Sequence, residues 1–188
     1  MSHMSPILWI IVALAVAGGL LYVAVRRTQR HLPPLTLPQG EKLPKTALQR
    51  LAETSFIAVA TLSAAAATIV VFFGVEAFWD RDAVRLSATG FVLAALAVFT
   101  YYSLRVAAWS ARDDGKLDER DRAILASAPA AQAPALMVTL AAWMIGLTES
   151  FHTTAEVPTV FLYLIFWSCT MVTVASLLAG IVVGYRRS

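Results

Sequence analysis

The charged residues of the chain occur in clusters, and long apolar stretches separate these clusters. Five stretches contain no Asp, Glu, Lys or Arg, and they are residues 1–25, 54–75, 86–104, 123–148 and 157–185. A helix of about 20 apolar residues is long enough to cross the hydrocarbon core of a bilayer. The pattern therefore predicts an all-α, polytopic integral membrane protein with five transmembrane helices.

The composition points to the same class of protein. Of the 188 residues, 59% are hydrophobic and 14% are charged, whereas soluble domains have about 25% charged residues. The single cysteine, Cys169, lies in the last apolar stretch and has no partner for an internal disulfide. These values exclude nucleic-acid-binding modules, secreted disulfide scaffolds and soluble dinucleotide-binding domains.

Basic residues are distributed unevenly between the two sides of the predicted bundle. Cytoplasmic flanks of transmembrane helices are enriched in Lys and Arg. Only Arg81 and Arg85 fall on one side, whereas the other side carries Arg26, Arg27, Arg30, Lys42, Lys45, Arg50, Arg105, Arg112, Lys116, Arg120, Arg122, Arg186 and Arg187. We therefore expect an outside N-terminus and a cytoplasmic C-terminus in a bacterial inner membrane. Five crossings, an odd number, also require opposite ends.

The predicted chain has three parts. Residues 1–27 form a transmembrane anchor helix, and residues 28–45 form a Pro-rich cytoplasmic linker. Residues 46–188 form a four-helix membrane bundle built from two hairpins. Its predicted helices cover residues 46–79, 83–111, 128–149 and 158–185, and a charged cytoplasmic loop at 112–127 joins the hairpins.

Several helix ends carry capping signals. Thr46 with Gln49 has the form of a capping box, and Asp82 and Asp118 are candidate N-caps of later helices. Pro158 suits the first turn of the last helix. Pro129 and Pro134 are expected to bend or restart the chain before the fourth span.

Two stripes of small residues are candidates for helix packing. Thr54, Thr61 and Thr68 recur every seven residues, and Ser176, Gly180 and Gly184 recur every four. Small residues allow two helix backbones to approach closely in a membrane. For the glycines, the alternatives are a crossing within the chain, which we favour, and a dimer seam. For the threonines, the alternatives to packing are hydroxyls bonded to their own helix and a substrate path.

Two predicted cytoplasmic segments are candidates for docking a partner. The first contains Pro33, Pro34 and Pro38, and its alternative interpretation is a slack tether. The second is the charged run, and its alternative interpretation is a solvated turn before a juxtamembrane helix. Its candidate residues are Asp118, Glu119, Arg120, Asp121 and Arg122.

One pair of residues has metal-ligand spacing. Glu149 and His152 form a Glu-x-x-His unit, which places a carboxylate and an imidazole on one face of a helix. With Glu76 at similar depth, they could hold Zn²⁺ or Cu²⁺. The alternative is ordinary polarity at a helix end. The sequence contains no recognised catalytic motif, so we predict no catalytic residue, no metal and no cofactor, although lipid or pigment neighbours would suit the surface.

The run Asp118–Arg122, followed by Ile124, lies between two predicted hairpins. In this arrangement, residues 46–188 resemble a loose family of uncharacterised prokaryotic membrane proteins with a cytoplasmic D-E-R-[DE]-x-x-I signature. The resemblance implies the two-hairpin topology. It transfers no activity and no functional residue.

These observations lead to three functional hypotheses. The leading one is a non-catalytic inner-membrane subunit or scaffold that packs against lipids and other membrane-protein subunits of a larger complex, of photosynthetic or respiratory type for example. The second is a small transporter or channel with a polar path along Thr54, Thr61 and Thr68. The third is a metal-dependent membrane oxidoreductase that uses Glu149 and His152.

Overall fold

The computed structural model describes residues 46–112, 117–151 and 156–187. The anchor helix predicted at 1–27 and the Pro-rich linker predicted at 28–45 lie outside the described residues. The described chain is helical, in agreement with the all-α prediction. Its elements are α1 (Ala47–Phe73), α2 (Val75–Asp80), α3 (Asp82–Arg112), α4 (Glu119–Ser127), a 3-10 helix (Ala128–Ala131), α5 (Gln132–Phe151) and α6 (Thr159–Arg187).

Four helical segments are long and apolar enough to cross a membrane. They are Ala47–Phe73, Asp82–Ala111, Glu119–Phe151 and Thr159–Arg186, and the third of them joins α4, the 3-10 helix and α5. Four of the five predicted spans therefore coincide with helices that could cross a bilayer. The remaining predicted span falls outside the described residues.

The first hairpin consists of α1 and α3, with the short α2 between them. One helix was expected over residues 46–79, and this prediction was wrong because α1 ends at Phe73. The cause is Gly74, whose φ of 82° and ψ of 160° are adopted almost only by glycine. Helix α2 then begins at Val75 and continues to Asp80.

The predicted caps at Thr46 and Asp118 are confirmed. The Thr46 Oγ1 accepts the Gln49 N–H at 3.1 Å, and the Asp118 Oδ1 accepts the Asp121 N–H at 2.7 Å. The segment expected as a loop at 112–127 is therefore helical from Glu119 onward, as α4. Asp82 is the first residue of α3 and pairs with Arg85.

The chain passes from α4 to α5 through the 3-10 helix at Pro129. A proline has no N–H, so it fits where a helix is restarting and that donor would have no partner. Pro134 likewise lies in the first turn of α5. Between the two prolines the helix changes from 3-10 to α, and the helical segment runs without a break from Glu119 to Phe151.

Helix α6 lies at the centre of the bundle. It contacts α1, α3, α4, the 3-10 helix and α5. A large buried cluster that includes Val59, Leu178 and Ile181 joins α6 to the first hairpin. A smaller buried cluster around Phe78, Trp143 and Phe161 closes the end of the bundle near α2. The two candidate sites lie beside these two clusters.

Candidate functional sites: a buried polar cluster and an apolar cavity

A polar cluster is buried where α1 and α4 begin and α6 ends. The Asp121 side chain is at its centre, and the residue is 1% exposed. The Tyr185 hydroxyl donates a hydrogen bond to the Asp121 Oδ1. The Thr46 Oγ1 donates to the same oxygen at 3.2 Å. We call these three side chains the Asp121 cluster.

The Asp121 cluster ties together segments that are far apart in the sequence. Thr46 is 75 residues and Tyr185 is 64 residues away from Asp121. A buried carboxylate is unfavourable unless hydrogen bonds compensate for lost water, and these two donors supply that compensation at Oδ1. The Asp121 Oδ2 has no hydrogen-bond partner among the described residues. The carboxylate therefore favours the geometry in which both donors remain in place.

Arg120 adds a second connection between α4 and α6. Its Nη2 donates to the Tyr185 backbone carbonyl at 3.2 Å. Its guanidinium lies 5.5 Å from the centroid of the Tyr185 ring, which is within the range of a cation–π interaction. Tyr185 thus receives α4 contacts at its ring, its hydroxyl and its backbone.

Two glycines of α6 allow this helix to pack closely against α4 and the 3-10 helix. A Cβ on Gly180 would lie 2.9 Å from the Ala128 carbonyl oxygen, and a Cβ on Gly184 would lie 2.9 Å from the Ile124 Cγ2. Real Cβ atoms do not approach neighbours so closely. Ser176, on the same stripe, is buried and donates to the Thr173 carbonyl of its own helix at 3.0 Å. The glycines therefore meet α4 and the 3-10 helix of the same chain.

The charged run predicted to dock a partner has two different faces. Asp121 points into the bundle, and Arg120 is partly buried against Tyr185. Asp118, Glu119 and Arg122 are exposed. These three residues define the α4 outer face. The other predicted docking residues, Pro33, Pro34 and Pro38, lie outside the described residues.

The threonine stripe of α1 lies on the exposed side of that helix. Thr54, Thr61 and Thr68 are all exposed, whereas the buried face carries residues such as Ala52, Val59 and Ala66. Thr54 donates to the Arg50 carbonyl at 2.9 Å, and Thr68 donates to the Ala64 carbonyl at 2.8 Å. These two hydroxyls bond to their own helix, as the alternative interpretation of the stripe expects.

The candidate metal ligands are only partly within the described chain. Glu76 lies in the first turn of α2 and Glu149 near the end of α5, whereas His152 lies outside the described residues. Within residues 46–112, 117–151 and 156–187, no three His, Cys, Asp or Glu side chains are placed to hold a metal ion. The metal site thus stays an untested alternative to the prediction of no metal, and it depends on His152.

An apolar cavity of about 280 Å³ lies between α1, α2, α3, α5 and α6. Small side chains on α1 and α3, including Ala66, Ala67 and Ala88, leave this space open. Its aromatic lining comes from Phe78, Trp143, Tyr163 and Trp167. The sequence prediction missed this cavity, although the run of four alanines at 64–67 marks the part of α1 that leaves room for it.

The polar atoms in the cavity wall fall into two groups. Thr89 and Tyr163 share a hydrogen bond of 2.7 Å, and the Trp143 Nε1 donates to the Ser168 Oγ at 2.7 Å. The Ser63 Oγ and the Trp167 Nε1 are buried and have no partner among the described residues. Such atoms are uncommon in native proteins and call for an explanation.

Comparison with known protein families, with curated proteins and with solved structures finds no match to this chain. The resemblance carried by Asp118–Arg122 and Ile124 accordingly stays a prediction.

Proposed function

We propose that the protein is a non-catalytic subunit of a larger membrane complex and that it docks another subunit through the α4 outer face. The observation that carries this proposal is the rigid attachment of α4 to the bundle. A charged segment at the end of a membrane bundle is well hydrated and does not need to pack against the bundle. Here, however, it forms a capped helix with a buried carboxylate.

Three sets of contacts support a defined orientation of α4. Asp118 caps its first turn, Asp121 is held by Tyr185 and Thr46, and Ile124 packs against Gly184. Asp121, Ile124 and Ala128 follow a spacing of three and four residues, so they occupy one face of the helical segment. Glu119 and Arg122 on the remaining surface are therefore presented in a fixed arrangement, as a specific protein contact requires.

We further propose that the complete chain has five spans, with its N-terminus outside and the α4 outer face in the cytoplasm of a bacterial cell. The described basic residues support this orientation. Arg81 and Arg85 lie at the α2 end of the bundle, and Arg50, Arg105, Arg120, Arg122 and Arg186 lie at or toward the α4 end. The side richer in Arg and Lys is normally the cytoplasmic one.

The transporter hypothesis receives less support. It relied on a polar path along Thr54, Thr61 and Thr68, but these residues are exposed on α1 and do not line the cavity. The cavity wall is almost entirely apolar, whereas ion and substrate paths are lined by polar or charged groups.

Affinity purification from the native membrane in mild detergent tests the docking proposal. The full chain is compared with two double variants that leave its net charge unchanged. Glu119→Lys with Arg122→Glu alters the α4 outer face, and Glu76→Lys with Arg81→Glu alters exposed residues at the opposite end. We expect one subunit to co-purify in defined stoichiometry with the wild type and with the second variant. Its yield should fall about tenfold or more with the first variant.

Two results would count against the proposal. One is a wild-type protein that is purified as a partner-free monomer. The other is equal recovery of the same subunit with both double variants, because the contact would then lie elsewhere. Circular dichroism of each variant establishes that the bundle is folded.

A further inference from the structure

The exposed face of α1 carries a regular line of residues. Six exposed residues of this helix are separated by alternating steps of three and four, and they are Thr54, Ile57, Thr61, Ala64, Thr68 and Val71. We call these six residues the α1 seam. Steps of this kind are the pattern by which two long helices pack side by side. Within the described residues, nothing covers the α1 seam.

Helix α1 is the least covered of the four candidate spans. Only 11% of its most apolar stretch is buried, whereas the other three spans have 22% to 39%. The apolar cavity also opens on this side, because Ala67 and Val71 line it and are exposed. Apart from Ile57, the seam residues are no larger than valine. Small residues are enriched where membrane helices approach each other closely, so this surface suits a further helix.

The chain contains a segment of suitable length outside the described residues. The described chain begins at Thr46, which caps α1, and the uncharged stretch 1–25 precedes it in the sequence. A covalent tether gives this stretch a higher effective concentration at α1 than a separate partner has. A line with the same alternating steps runs through the stretch, at Leu8, Ile11, Ala15, Gly18 and Tyr22.

Basic residues determine how this line and the α1 seam align. Arg26 directly follows the uncharged stretch, and Arg50 lies near the start of α1. Basic side chains favour the cytoplasmic surface of the membrane, so we place these two residues at one level, in helices that run antiparallel. Ala15 and Thr61 then lie level with each other, because each is eleven residues away from its arginine.

This alignment sets large residues against small ones. Ile57 is the largest residue of the α1 seam, and it lies within one residue of the level of Gly18. Ile11 lies within one residue of the level of Ala64. In packed helices a large side chain inserts between residues of the facing helix, so this alternation favours close contact.

We propose that residues 7–25 form a fifth helix that packs antiparallel against the α1 seam. This inference rests on the five-span topology proposed above. Leu8 lies level with Thr68 in this arrangement and covers the mouth of the cavity at Ala67. The first span is then a part of the bundle and closes its most exposed side.

Disulfide formation between paired cysteines in the full chain tests this arrangement. In a background in which Cys169 is changed to Ala, Ala15→Cys is combined with Thr61→Cys. A disulfide requires two Cβ atoms about 3.8 Å apart, so facing residues react best. A site for a specific protease is inserted between Gly40 and Glu41. After oxidation of the membranes and cleavage, the first segment stays attached on a non-reducing gel only if the disulfide has formed.

Two further cysteine pairs serve as controls. Ala17→Cys with Thr61→Cys is the matched control, because Ala17 lies close to the level of Ala15 but on the opposite side of a helix. Ala15→Cys with Ala94→Cys tests the neighbouring helix, since Ala94 is exposed on α3. We expect about tenfold more disulfide for Ala15→Cys with Thr61→Cys than for either control pair.

An independent second pair is Leu8→Cys with Thr68→Cys, which should also form a disulfide. Gel filtration of each reduced variant establishes that it is folded.

Four results overturn the proposal. Equal yields for the Ala15→Cys and Ala17→Cys pairs would mean that no fixed side of the segment faces α1. A higher yield with Ala94→Cys would place the segment on α3. Disulfide-linked dimers of Thr61→Cys, formed in place of the internal disulfide, would show that a second copy covers the seam. No disulfide in any pair would leave the seam to lipid.

Labelling of Ser5→Cys in the same Cys169→Ala background separates this inference from the topology on which it rests. A membrane-impermeant maleimide should label Ser5→Cys in intact cells, as five spans require. Labelling without the disulfide would leave the five spans in place and overturn only the packing against α1. Without labelling, the fifth span and its packing are both wrong.

Discussion

Gly180 of α6 lies directly against the backbone of Ala128, so that a Cβ on the glycine would stand 2.9 Å from the Ala128 carbonyl oxygen. A carbonyl within a helical turn cannot rotate away as a side chain can. Gly180→Ala must therefore push α6 away from the 3-10 helix. We expect the free energy of unfolding to fall by about 1–3 kcal/mol, measured by thermal or denaturant unfolding in detergent.

Gly90 provides the matched control for this substitution. It is exposed on α3, and a Cβ there meets nothing within 4 Å. Gly90→Ala should therefore raise the stability by about 0.5–1 kcal/mol, because alanine favours the helix. The stability of Gly184→Ala should lie between those of Gly180→Ala and Gly90→Ala, because the neighbour of Gly184 is the Ile124 side chain, which can move. Equal stability of Gly180→Ala and Gly90→Ala would show that the crossing is looser than described.

The break between α1 and α2 allows a second glycine experiment. Gly74 has open space around its missing side chain, so any effect of substitution arises from its φ of 82° and ψ of 160°. We expect Gly74→Ala and Gly74→Asn each to lower the free energy of unfolding by about 1–3 kcal/mol. Asparagine tolerates the left-handed helical region but not this one. Wild-type stability of Gly74→Asn would mean that the break has another backbone conformation.

The Asp121 cluster can be tested by a double-mutant cycle. Tyr185→Phe removes the buried hydroxyl donor and should lower the free energy of unfolding by about 1–3 kcal/mol. In the background of Asp121→Asn, Tyr185→Phe should lower the free energy of unfolding by less, because the charged acceptor is gone. Tyr101→Phe removes an exposed hydroxyl that accepts from Arg105 at 3.0 Å, and its effect should stay within about 0.5 kcal/mol. If the effects of Tyr185→Phe and Asp121→Asn on the free energy of unfolding are additive, the two side chains do not interact as described.

The proposed orientation predicts which end of the bundle is accessible from outside the cell. Cys169 is first changed to Ala, and then a single cysteine is placed at Arg81 or at Glu119, both of which are exposed. A membrane-impermeant maleimide applied to intact bacterial cells should label Arg81→Cys only. Glu119→Cys should react once inverted membrane vesicles are used. The opposite labelling pattern would reverse the topology.

The main features of the described fold could be predicted from the sequence, because charge-free stretches of membrane-spanning length are a strong signal. The caps at Thr46 and Asp118 were also predictable, since such bonds are local and involve residues three apart. The break at Gly74 was not, because an isolated glycine in an apolar stretch does not reveal its φ angle.

The candidate sites depend on contacts that local patterns do not encode. Asp121 belongs to a charge-rich run that is typical of a solvated turn, and its burial depends on Tyr185 in another helix. Ser63 and Trp167 carry no motif, and their lack of partners becomes visible only when five helices are assembled. The threonine stripe has regular spacing on a face that the described residues leave exposed, so its role in packing stays a prediction.

The separation of Asp121 and Tyr185 by 64 residues has a consequence for biosynthesis. At about 5–20 residues per second, the ribosome completes Asp121 roughly 3–13 s before it reaches Tyr185. During that interval the Asp121 carboxylate lacks the Tyr185 hydroxyl, and water has to take the place of that donor. Addition of α6 supplies the Tyr185 hydroxyl and backbone contacts of α4, so α6 determines when the α4 surface takes its final arrangement.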